Sequence, residues 1–489
     1  MDIYNRKENI MKNKLKVLYA TPECAPFAAS GGLGEVAGSL PRSLNYSRSA
    51  NIECRVIMPL YGKVAQEYRD KMKFLGTTTV NLAWRSQYMG LFELRHDRVT
   101  YYFIDNEYYF KRDGLYGYYD DGERFAYFSK AVFEALPLMK DFVPDVIHAN
   151  DWQTALIPVY QNSLYRREFM KTVFSIHNIE YQGYYGTEFL QEVVGLPESE
   201  SRFLIFGNGI NLMKGGIECC NMLNTVSPSY AEELKDPGYA FGMEDIVRRN
   251  EHKMRGILNG INTKTYDPAK DKLIPANYSA RDISGKAICK KELQQALGLP
   301  ESDSLLITLI SRLVPAKGLD LVRAIMDEVL DQHDVQFVVL GTGYREYEDY
   351  FRGLEIRHPD KVRALIQFNS ELSHRIYAGG DVILVPSRSE PCGLTQMIGC
   401  RYADVPVVRE TGGLKDSIQD CTLGSGNGFV FSKYHPDDLR TALEHAIALY
   451  EDKKNWKKLI IHDLKEDFSW NASAKEYADM YHSMFSEEE

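Results

Sequence analysis

No stretch of this chain reaches the ~18 consecutive apolar residues that a membrane-crossing helix requires, so no membrane partner is expected. Polybasic runs are missing as well. With 58 Lys and Arg against 68 Asp and Glu, the net charge is −10, a poor match for a nucleic-acid backbone. The eight cysteines, at 24, 54, 219, 220, 289, 392, 400 and 421, never form a C-x-x-C pair. That spacing excludes the usual disulfide frameworks and zinc sites, and points to reduced thiols in a cytoplasm. Cys219-Cys220 lies in an apolar stretch and reads as packing. Gly31-Gly32-Leu33-Gly34 lacks the G-K-[ST] of a P-loop, and Gly341-Thr342-Gly343 meets Glu346 where a dinucleotide fingerprint needs a third glycine. No D-x-D triplet, no G-x-S-x-G and no Ser-His-Asp pattern occurs. No cofactor and no metal are expected.

What is present is a soluble-type composition, 44% hydrophobic and 26% charged, on a chain of 489 residues, too long for a single core. Residues 1–13 are polar, without the apolar core of a signal peptide, and read as a disordered lead-in in which Met11 is an alternative start. Apolar runs then recur at 15–20, 53–60, 99–105, 145–149, 172–177 and 222–227, and again at 305–312, 335–340, 363–368, 381–386, 405–409 and 428–431. Continuous runs separated by helical patterns signal parallel strands buried on both faces. The expected fold is α/β, two doubly wound domains joined near Asn259–Pro268. Ligands of such sheets sit beyond the carboxyl ends of the strands.

Residues at those ends include the candidates. Ser30-Gly31-Gly32-Leu33-Gly34-Glu35 follows the first run, and Ser387-Arg388-Ser389-Glu390-Pro391-Cys392-Gly393-Leu394-Thr395 follows the run ending at Pro386. Each reads as a glycine turn opening a helix, aiming amides at an anion. Arg312 and Lys317 follow the strand at 305–310, a planar fork and a compact charge suited to a pyrophosphate, although a solvated helix start fits that spacing equally. Asp151 with Trp152, and His177 with Asn178, end consecutive runs and suit a sugar. Eight tyrosines between Tyr101 and Tyr127 also invite sugar stacking, but aromatics mostly fill cores, and that reading is preferred.

From about residue 15 to 485 the chain resembles the bacterial glycogen/starch synthases of glycosyltransferase family 5. The resemblance rests on Gly31-Gly32-Leu33-Gly34, His148-Ala149-Asn150-Asp151-Trp152, His177-Asn178-Ile179-Glu180, Thr225-Val226-Ser227-Pro228 and Leu258-Asn259-Gly260. It continues through Ser311-Arg312-Leu313, Lys317-Gly318-Leu319-Asp320, Ser373-His374-Arg375, Glu390-Pro391-Cys392-Gly393-Leu394-Thr395 and Thr411-Gly412-Gly413-Leu414. It implies a GT-B fold, two Rossmann-like domains facing a central cleft. Expected bounds are 14–262 for the acceptor-side domain, 263–465 for the nucleotide-sugar domain, and 466–489 for a helix crossing back. It also implies retaining transfer of glucose from ADP-glucose to the 4-hydroxyl of an α-1,4-glucan. On that pattern Arg312 and Lys317 bind the diphosphate with the amides from Cys392 and Gly393 to Leu394 and Thr395. Glu390 lies near the transferred glucose, His177 and Asn259 hold the sugar, and Gly31, Gly32 and Glu35 belong to the donor side. Asp151 and Trp152 belong to the acceptor side.

Four positions depart from the pattern. The family's Lys two residues before Gly-Gly is Ala29, its Asp after Gly-Leu-x is Glu35, its His after Asp-Trp is Gln153, and its adenine-stacking Tyr is Phe368. Loss of the Lys removes one cation, worth about 1–3 kcal/mol if the contact is buried. The departures keep two alternatives open: a glucan-binding or regulatory homologue with weak transfer, and the same reaction with UDP-glucose. Phosphorolysis and epimerisation are the remaining chemistries of such a scaffold, and nothing in the chain suggests a pyridoxal phosphate lysine.

Overall fold

Continuous apolar runs become strands because both faces of each are covered. In this computed structural model, which describes residues 14–486, the chain divides into two compact units. The first takes the described residues up to Gly260 together with the chain from Trp470, and the second is Ile261–Ser469. The lead-in expected over 1–13 lies outside the described residues.

The strands of the first unit are β1 (Leu15–Ala20), β2 (Ile52–Pro59), β3 (Lys73–Leu82), β4 (Arg85–His96), β5 (Val99–Asp105), β6 (Val146–Asn150) and β7 (Lys171–Ile176). Next come β8 (Tyr184–Gly186), β9 (Ile205–Phe206), β10 (Gly209–Asn211), β11 (Met222–Thr225) and β12 (Met254–Gly256). Nine of them form one sheet in the order β12-β11-β7-β6-β1-β2-β5-β4-β3. All neighbours are parallel except β4, which runs against β3 and β5. Strands β8, β10 and β9 make a small antiparallel ribbon. A search for continuous apolar runs passes over β3 and β4, since their residues alternate between buried and open positions. One face of this pair meets water, and alternation is what such a strand requires.

The helix Gly32–Tyr46 packs Leu33, Val36, Ala37, Leu40 and Leu44 onto the sheet. Among the tyrosines, Tyr101, Tyr102, Tyr109 and Tyr127 are buried, whereas Tyr108 and Tyr119 are exposed. Core filling accounts for half the cluster. Cys219 and Cys220 are buried as expected, and all eight cysteines are free thiols. The helix Trp470–Ser483 belongs to this unit and is tied to the sheet by polar contacts. Tyr481 Oη lies 2.7 Å from His148 Nδ1, and Tyr477 Oη donates to Asn224 Oδ1 at 3.1 Å.

The second unit holds β13 (Leu305–Ile310), β14 (Val335–Leu340), β15 (Val362–Leu365), β16 (Val382–Val385), β17 (Val405–Arg409) and β18 (Phe429–Phe431), all parallel. Their order is β15-β14-β13-β16-β17-β18, the doubly wound arrangement in which strand order reverses beside the first strand. The reversal falls between β13 and β16. In the first unit it falls between β1 and β6. Several strands end earlier than their apolar runs: β13 stops before Arg312 and β15 before Phe368, leaving both in loops.

Candidate active site

In the second unit the reversal point gathers most of the predicted donor residues. Arg312 follows β13 with its side chain exposed and, among the described residues, without an ion-pair partner. Lys317 lies five residues on, in a 3-10 turn (Pro315–Lys317) that ends at Gly318. Its Nζ meets Glu390 Oε2 at 2.6 Å, and Ser387 Oγ donates to the same oxygen at 2.7 Å. Glu390 and Cys392 are buried, and Gly393, Leu394 and Thr395 are half-buried.

Close packing of backbone on backbone holds this loop in place. Gly318 has φ +69°, and a Cβ there would lie 1.9 Å from the carbonyl oxygen of Pro386. On the other side a Cβ on Gly413 would lie 2.1 Å from Cys392 O, while Gly413 N donates to Glu390 O at 3.1 Å. Arg409 Nε donates to Ser387 O at 2.9 Å, and Arg388 N donates to Ala316 O at 2.9 Å. Gln396 Nε2 donates to Gly393 O at 2.9 Å. The loop is therefore clamped between two glycine-bearing turns. Phe368 stands apart in its loop, 91% exposed.

In the first unit, Asp151 adopts φ +57°, a left-handed conformation that costs about 1–3 kcal/mol for a non-glycine residue. The turn aims its carboxylate at the next strand end: His177 N and Asn178 N donate to Oδ1 at 2.7 and 3.3 Å. Burial nevertheless pushes the Asp151 carboxyl up to about 7. His177 Nε2 lies 2.9 Å from Asn150 Oδ1, which also accepts from Tyr19 Oη at 2.8 Å. Asn150 Oδ1 can only accept, so Nε2 carries the hydrogen and Nδ1 is left as an acceptor. Burial lowers His177 to about 3, keeping the ring neutral. Trp152 packs edge-on against Phe125 at 5.5 Å. Asn259 is buried, and its Oδ1 has no hydrogen-bond partner among the described residues.

The first glycine turn differs from its expected form. Ser30 N and Ser30 Oγ donate to Glu23 Oε2 at 2.5 and 2.7 Å, so a carboxylate of the chain itself occupies the amide that the turn presents. Burial raises the Glu23 carboxyl, and the Ser30 hydrogen bonds oppose that rise. Gly31 and Gly32 border open space, whereas a Cβ on Gly34 would lie 2.4 Å from the Cβ of Ala29. Glu35 is exposed on the helix's first turn.

Glu23 and Tyr19 were not candidates in the sequence, and Ser387 was named only as the first residue of the second turn. The structure joins Lys317 with Glu390, and Asp151 with His177, and it leaves Arg312 and Phe368 open.

Known proteins resemble this chain over nearly its whole length. Residues 16–249 match the family described as starch synthase catalytic domain, and residues 290–461 match glycosyl transferases group 1. Glycogen synthase of Anoxybacillus flavithermus is 42% identical over 96% of this chain and 97% of its own length. Those of Bacillus cereus and Geobacillus stearothermophilus are each 42% identical, covering 96% and 97% of this chain and 100% and 99% of theirs. The catalytic domain of starch synthase IV from Arabidopsis thaliana, solved with ADP and acarbose, superimposes with a TM-score of 0.88. It is 33% identical and covers 97% of this chain and 100% of that one. A sucrose-phosphate synthase from Thermosynechococcus elongatus, 16% identical at a TM-score of 0.61 over 96% of this chain and 99% of its own, shares the fold. The chain belongs to the glycogen/starch synthase family and is a glycosyltransferase of the GT-B fold.

Proposed function

We propose that this enzyme transfers glucose from ADP-glucose to the non-reducing 4-hydroxyl of an α-1,4-glucan, with retention of configuration and without a metal. The observation that carries the reading is the Lys317–Glu390–Ser387 cluster at the strand-order reversal of the second unit, with the open guanidinium of Arg312 on the same strand end. Arg312 and Lys317 hold the diphosphate, helped by amides of the loop from Cys392 to Thr395, and Phe368 stacks on the base. As the bond from the anomeric carbon to the diphosphate breaks, these cations take up the charge that develops on the leaving oxygen. The acceptor oxygen bonds the anomeric carbon from the same face, and its proton passes to the departing phosphate. The products are ADP and a glucan one glucose longer. Glu390, salt-bridged to Lys317, positions the cation and lies near the glucose.

In the first unit, neutral His177 offers Nδ1 as an acceptor to a sugar hydroxyl, and the unpaired Oδ1 of Asn259 offers another. Asp151 and Trp152 face the glucan. Gly31 and Gly32, with open space above them, allow a ligand to approach the backbone closely. The ADP and acarbose in the Arabidopsis structure support a nucleotide donor and a glucan-like acceptor.

Transfer of radiolabelled glucose to glycogen from ADP-glucose, and separately from UDP-glucose, with and without chelator, tests the reading. Label incorporation from ADP-glucose that chelator does not change is expected. A preference for UDP-glucose corrects the donor, and chelator sensitivity removes the metal-free mechanism. Glucan binding without ADP release would instead favour a regulatory homologue, a reading that Ala29 and Gln153 alone suggest.

A further inference from the structure

At the amino ends of the first unit's parallel strands, away from the strand ends that carry Asp151 and His177, lies a cavity of about 430 Å³. Its charged lining is Lys14, Arg55, Arg95 and Arg98 against Glu53 and Asp97, an excess of positive charge in a chain whose net charge is −10. The carboxylates are already engaged. Glu53 pairs with Arg55 at 2.7 Å, and Asp97 pairs with Arg42 at 2.8 Å. Arg98 stacks on Tyr46 at 4.5 Å without a carboxylate, and Lys14 and Arg95 have no ion-pair partner among the described residues. Three cations are thus uncommitted at one cavity.

Lys14, Arg95 and Arg98 are exposed, and the strand register fixes how Arg95 stands relative to Arg55. Arg55 on β2 lies opposite Thr100 on β5, and Thr100 lies opposite Arg95 on β4, so all three project from one face of adjacent strands ~4.8 Å apart. Arg55 is fixed by Asp141 at 3.0 Å, by Tyr102 Oη, and by its stacking on Phe142 at 4.4 Å. The opposite wall is rigid too: Asn45 in the last turn of the helix Gly32–Tyr46 exchanges hydrogen bonds with Cys54 N and O, both at 2.8 Å, and donates to Arg98 O at 3.2 Å. Like charges lining one cavity repel one another, and an anion seated among them relieves that cost.

We propose that this cavity is a binding site for a small phosphate-bearing anion, gripped by Arg95, Arg98 and Lys14 beside the fixed fork of Arg55. Guanidinium groups suit the planar, multidentate recognition of phosphate, and the volume has room for a sugar monophosphate as well as for free phosphate. Because the site stands on residues of one unit and uses none of those assigned to transfer, it is independent of the reading given above.

Calorimetric titration with inorganic phosphate, and separately with glucose 1-phosphate, at constant ionic strength against chloride, tests it. Binding is expected to persist in Lys317→Ala and to weaken at least ~10-fold in the double variant Arg95→Ala/Arg98→Ala, while Arg95→Lys keeps most of it. A thermal melt of the double variant matching that of the parent chain shows that the fold is intact. Tighter binding of the sugar phosphate assigns the remaining volume to the sugar, and equal binding assigns the site to free phosphate. Phosphate heats equal to those of chloride, or binding lost in Lys317→Ala and kept in the double variant, overturn the proposal.

Discussion

The two glycine turns begin alike, each just beyond a buried parallel strand at the point where strand order reverses, yet they end in opposite electrostatic states. In the second unit a cation, Lys317, reaches the turn and pairs with Glu390. In the first, the position two residues before the glycine pair is Ala29, and the turn is closed by the chain's own carboxylate, Glu23, on Ser30. The difference shows that a glycine turn supplies geometry, and that the side chains brought to it by the rest of the fold decide its charge. A turn with a cation can hold a diphosphate. A turn already occupied by a carboxylate presents a shaped, anionic edge, better suited to neutral sugar.

The sharpest way to break this contrast is to remove the cation. Lys317→Ala should lower glucosyl transfer at least ~100-fold, as loss of a preorganised charge contact typically does; unchanged transfer would end its assignment as the diphosphate clamp. Next in size is Gly318→Ala, which forces a Cβ against Pro386 O in a left-handed backbone. It should destabilise the second unit by about 2–4 kcal/mol in urea unfolding, and a smaller loss would show that the loop can yield. Glu23→Ala should free the first turn, cutting transfer roughly 10-fold with faster amide exchange at Ser30, and Glu23→Gln should restore most of it. If the Gln variant is as impaired as the Ala variant, the carboxylate does more than position the turn. Restoring the missing cation with Ala29→Lys should change the KM for the sugar nucleotide by only a few-fold, about 1 kcal/mol, because the new charge meets Glu23 first.

A separate effect concerns pH. His177 is held neutral by burial, with its value lowered to about 3. The unfolded chain therefore takes up a proton near 6.5 that the folded chain refuses, so this contribution is full above 6.5 and is lost as pH falls toward 3. His177→Gln should flatten the fall of unfolding free energy across that window, in which His148, lowered by its burial, acts in the same direction and Asp151, raised by burial to about 7, in the opposite one. An unchanged slope would mean that His177 is accessible to protons in the folded enzyme.

Much of this fold was legible in the chain. Runs such as Val335–Leu340 and Val405–Arg409 coincide with β14 and β17 because strands covered on both faces must be apolar throughout. The antiparallel pair β3 and β4 was not, since one side of it faces water and its pattern has no continuous run. Arg312, Lys317 and Glu390 could be marked as candidates from their places behind apolar runs, and Phe368 from the family pattern. The Lys317–Glu390 contact spans 73 positions, and no local pattern encodes its 2.6 Å.

The sequence alone dictates two α/β sheets built around parallel strands, with chemistry at their strand ends, because burial periodicity and glycine turns are local properties. Only the tertiary structure decided which strand ends lie at the reversals of strand order and which carboxylate meets Lys317. It also decided that Glu23 already fills the first turn, and that Arg55, Thr100 and Arg95 share one face. Those are pairings between distant segments, set by sheet order and register, and they exist only once the strands have assembled.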